Sequence, residues 1–175
     1  MTFMSVNESI RKACKQELLF LMTPTLLSDP MVRHLYVSKE VKEYICRQTK
    51  VEAVRRGKLR RDFDRFIIGK RLSVSMNEYH HKDAYMARLS PADDEVWEIR
   101  SRAPKPGIRV FGRFAGKDRF VALCWRFRKD LGGADSRDFS KAVKGCKQIW
   151  EKILPNCDPL TGGNVDDYIS KFTSI

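Results

Sequence analysis

Between Glu95 and Asp130 the chain carries a series of arginines whose spacing gathers them together if the backbone is extended. The runs are Glu95-Val-Trp-Glu-Ile-Arg-Ser-Arg102, Gly107-Ile-Arg-Val-Phe-Gly-Arg-Phe114 and Arg119-Phe-Val-Ala-Leu-Cys-Trp-Arg-Phe-Arg128, the last two joined by Ala115-Gly-Lys-Asp118. β-Branched and aromatic residues set between Gly and Pro breaks predict three consecutive antiparallel strands. Side chains alternate across a strand, so each run splits into two faces. Trp97, Ile99, Ile108, Val110, Phe114, Val121, Leu123, Trp125 and Phe127 form a core face. Glu98, Arg100, Arg102, Arg109, Phe111, Arg113, Ala122, Cys124, Arg126 and Arg128 form the other. A face rich in guanidinium groups suits a polyanion, and Phe111 set among them can stack on an unpaired base.

The elements that must position this face can be read on either side of it. Glu8 to Met22 reads as a helix capped by Asn7, with Ile10, Cys14, Leu18 and Leu21 on its buried side. Met31 to Val37 reads as a first strand. Ser38 caps the next helical stretch, which runs to Ile68, is interrupted at Gly57 and stops at Gly69. It carries Lys50, Arg55, Arg56, Lys58, Arg60, Arg61 and Arg65 against few acids, which makes Arg55, Arg56, Arg60 and Arg61 further candidates for a polyanion. Arg71 to Met76 reads as a short strand. Phe139, Ala142, Val143, Cys146, Ile149, Trp150 and Ile153 fall at helical spacing after a cap at Asp135 or Ser136, and Pro155 ends that helix. A short helix is expected around Val165 to Phe172. The expected organisation is an N-terminal helical extension (1–30), a central domain (31–154) and a C-terminal tail (155–175).

Bulk properties agree with a polyanion partner. The 175 residues carry a formal charge of +12, which favours nucleic acid first and an anionic membrane surface or acidic protein after it. Five cysteines, Cys14, Cys46, Cys124, Cys146 and Cys157, show no CxxC pair, so reduced thiols in a cytoplasmic protein are expected and no zinc site. No stretch approaches the length of a membrane span. His80 and His81 are adjacent in a polar stretch with no further His or Cys near enough to complete a metal site. Either could still act as an acid or base. No GxSxG, GxxxxGK[ST] or GxGxxG occurs, which sets aside those hydrolase, P-loop and dinucleotide classes.

Glu95-Val-Trp-Glu-Ile-Arg100, Gly107-Ile-Arg-Val-Phe-Gly-Arg-Phe114 and Asp118-Arg-Phe-Val-Ala-Leu123 together resemble the strand pattern of RelE/HigB-type toxins and their phage-encoded relatives. In that pattern a W-E-L-R strand leads to one carrying Y-R-V/I, and a hydrophobic strand follows into basic residues, here Arg126, Arg128 and Lys129. The resemblance covers roughly 31–154. It implies an α+β fold with a small antiparallel sheet, the three-stranded meander plus the possible first strand, packed against helices. It also implies an RNA-binding toxin, in many members a metal-independent mRNA endoribonuclease acting on the ribosome, and a small, acidic antitoxin as partner. The chemistry implied is attack of a ribose 2′-hydroxyl on the adjacent phosphate, with guanidinium groups stabilising the growing charge. Arg109, Arg126, Arg128 and Lys129 match the catalytic positions; Arg100, Arg102, Phe111 and Arg113 would bind the RNA. No cofactor or metal is implied.

The family pattern often ends in a Tyr or His, whereas here a helix and tail follow, and the late tyrosine is Tyr168. A non-catalytic nucleic-acid binder on the same fold therefore stays open. So do a protein-interaction module with a basic face and a metal-dependent nuclease using Asp93 or Asp94 with Glu98 and Arg100.

Overall fold

The computed structural model describes residues 5–77 and 82–175. The chain forms helix α1 (Val6–Lys15), strands β1 (Leu19–Met22) and β2 (His34–Ser38), and helices α2 (Lys39–Cys46) and α3 (Ala53–Ile67). Strands β3 (Leu72–Ser75), β4 (Met86–Arg88), β5 (Trp97–Ser101), β6 (Ile108–Gly116) and β7 (Arg119–Phe127) follow. Helix α4 (Arg137–Ile153), a single-turn α5 (Val165–Tyr168) and strand β8 (Phe172–Ser174) complete it. The strands form one sheet in the order β1-β2-β7-β6-β5-β4-β3-β8.

The α+β class is as expected, but the sheet is not the small antiparallel one. It has eight strands and is mixed: β2 runs parallel to β7, and β3 runs parallel to both β4 and β8. Two edge strands account for much of the difference. The expected helix over 8–22 ends early because Glu17 turns to φ +56°, and Leu19–Met22 then pairs antiparallel with Ser38–Leu35. Its cap is Ser5 in place of Asn7; the Ser5 hydroxyl accepts the Glu8 N–H while the Glu8 carboxylate accepts the Ser5 N–H, a closed capping box. At the opposite edge Phe172–Ser174 pairs with Leu72–Val74. Leu19–Met22 and Phe172–Ser174 thus tie the segments 5–30 and 155–175 to the same sheet, and these segments bury Ile10, Ala13 and Leu19 on one side and Val165, Tyr168 and Ile169 on the other.

Both faces of the sheet are covered. On one, α2 and α3 bring Val41, Leu59, Phe63 and Phe66 onto Trp97, Val110, Phe114 and Phe120. On the other, α1 and α4 bring Ile10, Ala142, Val143, Cys146 and Trp150 onto Phe111, Val121, Leu123 and Cys124. Val121 and Leu123 therefore do not share a face with Trp125 and Phe127, as uniform alternation requires. The cause is a β-bulge: Phe111 pairs with Cys124 but Gly112 pairs with Ala122, leaving Leu123 as an extra residue in β7. Leu123 and Cys124 both turn towards α4, and the alternation restarts in the opposite phase.

Two glycines matter to this arrangement. A Cβ on Gly112 would collide with the Val121 carbonyl oxygen and stand 2.6 Å from the Phe120 ring. Gly69 ends the α3 turn at φ +74°, where a Cβ would also meet Val32 at 2.7 Å. Gly57 does not interrupt its helix; it lies inside α3, and the break between the two helices falls at 47–52 instead.

One buried charge ties the periphery together. Arg33 is fully buried and donates to the carbonyl oxygens of Phe66 and Lys70, each at 3.0 Å, and to that of Ser170. It also pairs with Asp118 at 3.3 Å, and Asp118 accepts the Ser170 N–H at 2.8 Å. The end of α3, the β6–β7 turn and the C-terminal segment are joined through this guanidinium. Burial pulls its pKa down, and Asp118 opposes that pull. Among the described residues, no helix is long and apolar enough to cross a membrane.

Gly112→Ala should cost about 2–3 kcal/mol in urea unfolding by overpacking the bulge. Gly57→Ala, where nothing lies within 4 Å of the added carbon, should gain up to about 1 kcal/mol. Equal effects at the two sites would contradict the close approach at Gly112.

Candidate nucleic-acid interface

Strand register sets Arg100 opposite Arg109, and Arg109 opposite Arg126. Like charges directly across neighbouring strands repel, so this row is a local cost to the fold. Glu98 lies on the same face two residues before Arg100 and acts as the countercharge. Its Oε1 is 3.1 Å from Arg100 Nε and its Oε2 is 3.4 Å from Arg109 Nε. The Glu98 and Arg109 side chains are 4% and 8% exposed, so the group is held largely out of water. Burial pushes the Arg109 pKa down to about 10; Glu98 opposes this, while Arg100, Arg128 and Arg102 push it further down. Arg100 is shifted the same way by burial, again opposed by Glu98. Four guanidinium groups thus sense one another around one buried carboxylate.

The outer members are more open. Arg102 donates to the Ala84 carbonyl oxygen at 2.8 Å and faces Asp83 at 3.7 Å. Arg126, with 46% of its side chain exposed, pairs with Glu40 at 3.1 Å. Arg128 donates to the Gly132 carbonyl oxygen, and Lys129 is exposed with its Nζ 5.8 Å from the Phe127 ring centre. Local folding explains why this end is accessible. The pairing of β2 with β7 stops at Val37–Ala122, the Ser38 hydroxyl donates to the Leu123 carbonyl oxygen at 2.7 Å, and the chain turns into α2. Ser38 also caps that helix by accepting the Val41 N–H. β7 beyond this point has no β2 neighbour, and the Trp125 N–H is taken by the Glu40 carboxylate at 3.4 Å.

The remaining sequence candidates are placed elsewhere. Phe111 is not a stacking platform: it is fully buried, edge-on to Phe139 of α4 at 5.8 Å. Arg113 is covered by the same helix, donating to the Asp94 carbonyl oxygen at 2.6 Å with its guanidinium 5.4 Å from the Trp150 ring centre. The amphipathic α4 needs an apolar surface, and Phe111 beside the bulge supplies it. The helical arginines belong to α3, which packs on the opposite face of the sheet. Arg55 pairs with Glu52, donates to the Lys105 carbonyl oxygen at 3.0 Å and sits 5.4 Å from the Phe127 ring centre. Arg56 donates to the carbonyl oxygens of Val51 and Thr49, which closes the 47–52 loop. Arg60 donates to Thr25 Oγ1 at 3.0 Å and pairs with Asp64 at 3.4 Å. Arg61 is exposed beside Lys58 and Arg65. Arg55, Arg56 and Arg60 fasten loops, which the charge count along the helix did not distinguish from a free basic face.

Groups able to move a proton are arranged less favourably. Tyr168 lies on the α2–α3 side of the sheet, fully buried against Trp97 and Phe114. Its hydroxyl donates to Glu95 at 2.8 Å, and its pKa is pushed up to about 12 by burial and then by Glu95. His80 and His81 lie outside the described residues. Asp94 pairs with Lys147, and Glu98 is engaged by two guanidinium groups, so neither stands open for a metal. Among the described residues, no cluster of three or more His, Cys, Asp or Glu could hold a metal ion. What the arrangement can do is bind an anion: the outer guanidinium groups of the row present forked donors suited to a phosphate. Glu40, in the first turn of α2, was not among the sequence candidates.

No family model, curated protein or solved structure matches this chain.

Glu98→Gln removes the countercharge and should destabilise the fold by about 3–5 kcal/mol at low salt, because buried guanidinium groups are left without an anion. Added sulfate should raise the thermal midpoint of this variant more than that of the wild type. Identical melting of the two at low salt would show that Glu98 does not hold the row together.

Proposed function

We propose that this chain is an RNA-binding protein of RelE/HigB toxin type, with its phosphate site at Arg100, Arg109, Arg126 and Arg128. The observation that carries the reading is the in-register row Arg100–Arg109–Arg126, kept at an electrostatic cost with a buried carboxylate shared by two of its members and an exposed one at the third. Where residues work against stability, a binding role is the usual reason. Element order supports the same reading. We take β2, α2, α3 and the meander β5–β7 as the RelE-like unit, with β1, β3, β4 and β8 widening its sheet. The excess charge of +12 suits RNA, and a small acidic antitoxin in the cytoplasm is the protein partner that the toxin reading carries.

In the catalytic form of this proposal the 2′-oxygen of one nucleotide bonds to the adjacent phosphorus and the bond from phosphorus to the 5′-oxygen breaks. A cyclic phosphate and a free 5′-hydroxyl result. Arg109, Arg126, Arg128 and Lys129 would stabilise the charge on the phosphate oxygens. The 2′-proton needs an acceptor, and the carboxylates beside the row, Glu98 and Glu40, are both held by guanidinium groups. That observation favours the second reading, binding of RNA without cleavage.

Two measurements separate them. Inducible expression of the wild type beside Arg109→Ala, with growth followed and 5′ ends of cellular mRNA mapped, tests cleavage. Arrest and new ends, both abolished in the variant, support the ribonuclease; normal growth from soluble protein leaves the binder. Salt-dependent titration of single-stranded RNA tests binding. Joint replacement of Arg100, Arg109 and Arg126 by Gln should lower the log–log salt slope by roughly 2, about 0.7 for each phosphate no longer neutralised. An unchanged slope would remove the row from the interface.

A further inference from the structure

At the free edge of β7 an aromatic groove is bordered by charge, because the Arg126 guanidinium reaches round the edge to Glu40 of α2 at 3.1 Å. Because the bulge restarts the alternation, Arg126 faces the same side as Arg109, while Trp125 and Phe127 face α2 and α3. A groove of about 390 Å³ opens there between α2 and the end of β7. Trp125 stacks on Tyr44 with ring centres 3.9 Å apart and meets Phe127 edge-on at 5.1 Å. Arg47 and Arg126 line the groove together with Glu40, Glu43 and Asp130. Tyr44 is nearly fully buried in this wall, and its hydroxyl has no hydrogen-bond partner among the described residues.

We propose that this groove receives the base of an unpaired nucleotide whose phosphate lies at Arg126 and Arg128, so that the RNA strand crosses the β7 edge. The inference rests on the RNA-binding reading and adds a base subsite to it. Arg126 and Trp125, adjacent on β7, both line the groove, so one ligand can meet a guanidinium and an indole there. Trp125 supplies the stacking surface that buried Phe111 cannot. The carboxylates of Glu40 and Glu43 accept hydrogen bonds and repel phosphate, so they favour a base edge that bears an amino group. The groove should therefore prefer cytosine or adenine to uracil.

Trp125 can be observed directly. The chain has three tryptophans, and Trp97 and Trp150 are fully buried, whereas Trp125 is only partly so. Short single-stranded homopolymers of cytidine, adenosine or uridine, and an abasic oligomer of the same length, would be titrated at low salt while tryptophan emission is read. The expected result is quenching by the base-bearing strands only, with affinity roughly tenfold above the abasic strand, the effect of stacking one base on an indole. Trp125→Leu should bring the base-bearing strands down to the abasic affinity, and Trp125→Phe should keep most of the difference. Circular dichroism and the thermal midpoint check that both variants are folded, and the wild-type quenching does not depend on them. Equal affinity for base-bearing and abasic strands without quenching would overturn the groove and leave the phosphate site standing. No binding of either would overturn both.

Discussion

The β7 bulge is the constraint on which the site depends. Without the extra residue at Leu123, the strand would carry one phase from Arg119 to Phe127, and Arg126 would face α2 while Trp125 faced α4. The inserted residue does two things at once. It gives α4 a doubled apolar surface, Leu123 beside Cys124, under Val143 and Cys146, and it turns the following arginine back to the side of Arg109. Gly112 permits it, since only a residue without a side chain lets β6 pass that close to the Val121 carbonyl. Packing on one face and the charge row thus share one structural cause.

A row of arginines in a sheet needs an explanation in energy as well as geometry. Moving a guanidinium out of water is costly, and placing three abreast adds repulsion. Glu98 offsets part of that cost by serving two of them, and Glu40, from a different element, serves the third. The compensation differs in kind at the two ends. At Glu98 it is buried and therefore strong; at Glu40 both partners are over two-fifths exposed, so solvent and salt weaken it. Arg126 is accordingly the member that can exchange its carboxylate for a phosphate at least expense. Arg100 and Arg109, held in place by Glu98, would complete the proposed phosphate site beside it.

Much of the frame was legible in the sequence, and for identifiable reasons. Ser38 and Ser136 both cap their helices as N-terminal serines should, and the apolar spacing of α4 survives in its buried residues Ala142, Val143, Cys146 and Trp150. The meander was readable because Gly and Pro separate runs of β-branched and aromatic residues. What was not legible depends on pairing at a distance. Leu19–Met22 has the apolar character of a helix side, and only the neighbouring β2 makes it a strand. The last strand, Phe172–Ser174, is three residues long and gains its conformation from β3. The bulge leaves almost no trace beyond Gly112, because a period-two pattern with one insertion looks like a longer period-two pattern.

The same limit applies to the site. Arginine counts identify a basic protein, but they do not separate a guanidinium that binds a partner from one that closes a loop. Arg56 and Arg109 have similar burial, 5% and 7%, yet differ in what satisfies them. Arg56 donates to carbonyl oxygens of its own loop, which are neutral and local. Arg109 also donates to one local carbonyl, that of Ile108 at 3.3 Å, but it is set among other guanidinium groups with a shared carboxylate. A neutral, local set of acceptors argues for structure, and a crowd of like charges argues for an anion from outside. On that criterion α3 contributes support and the open end of the meander is where the proposed site lies, although both drew attention in the sequence for the same reason.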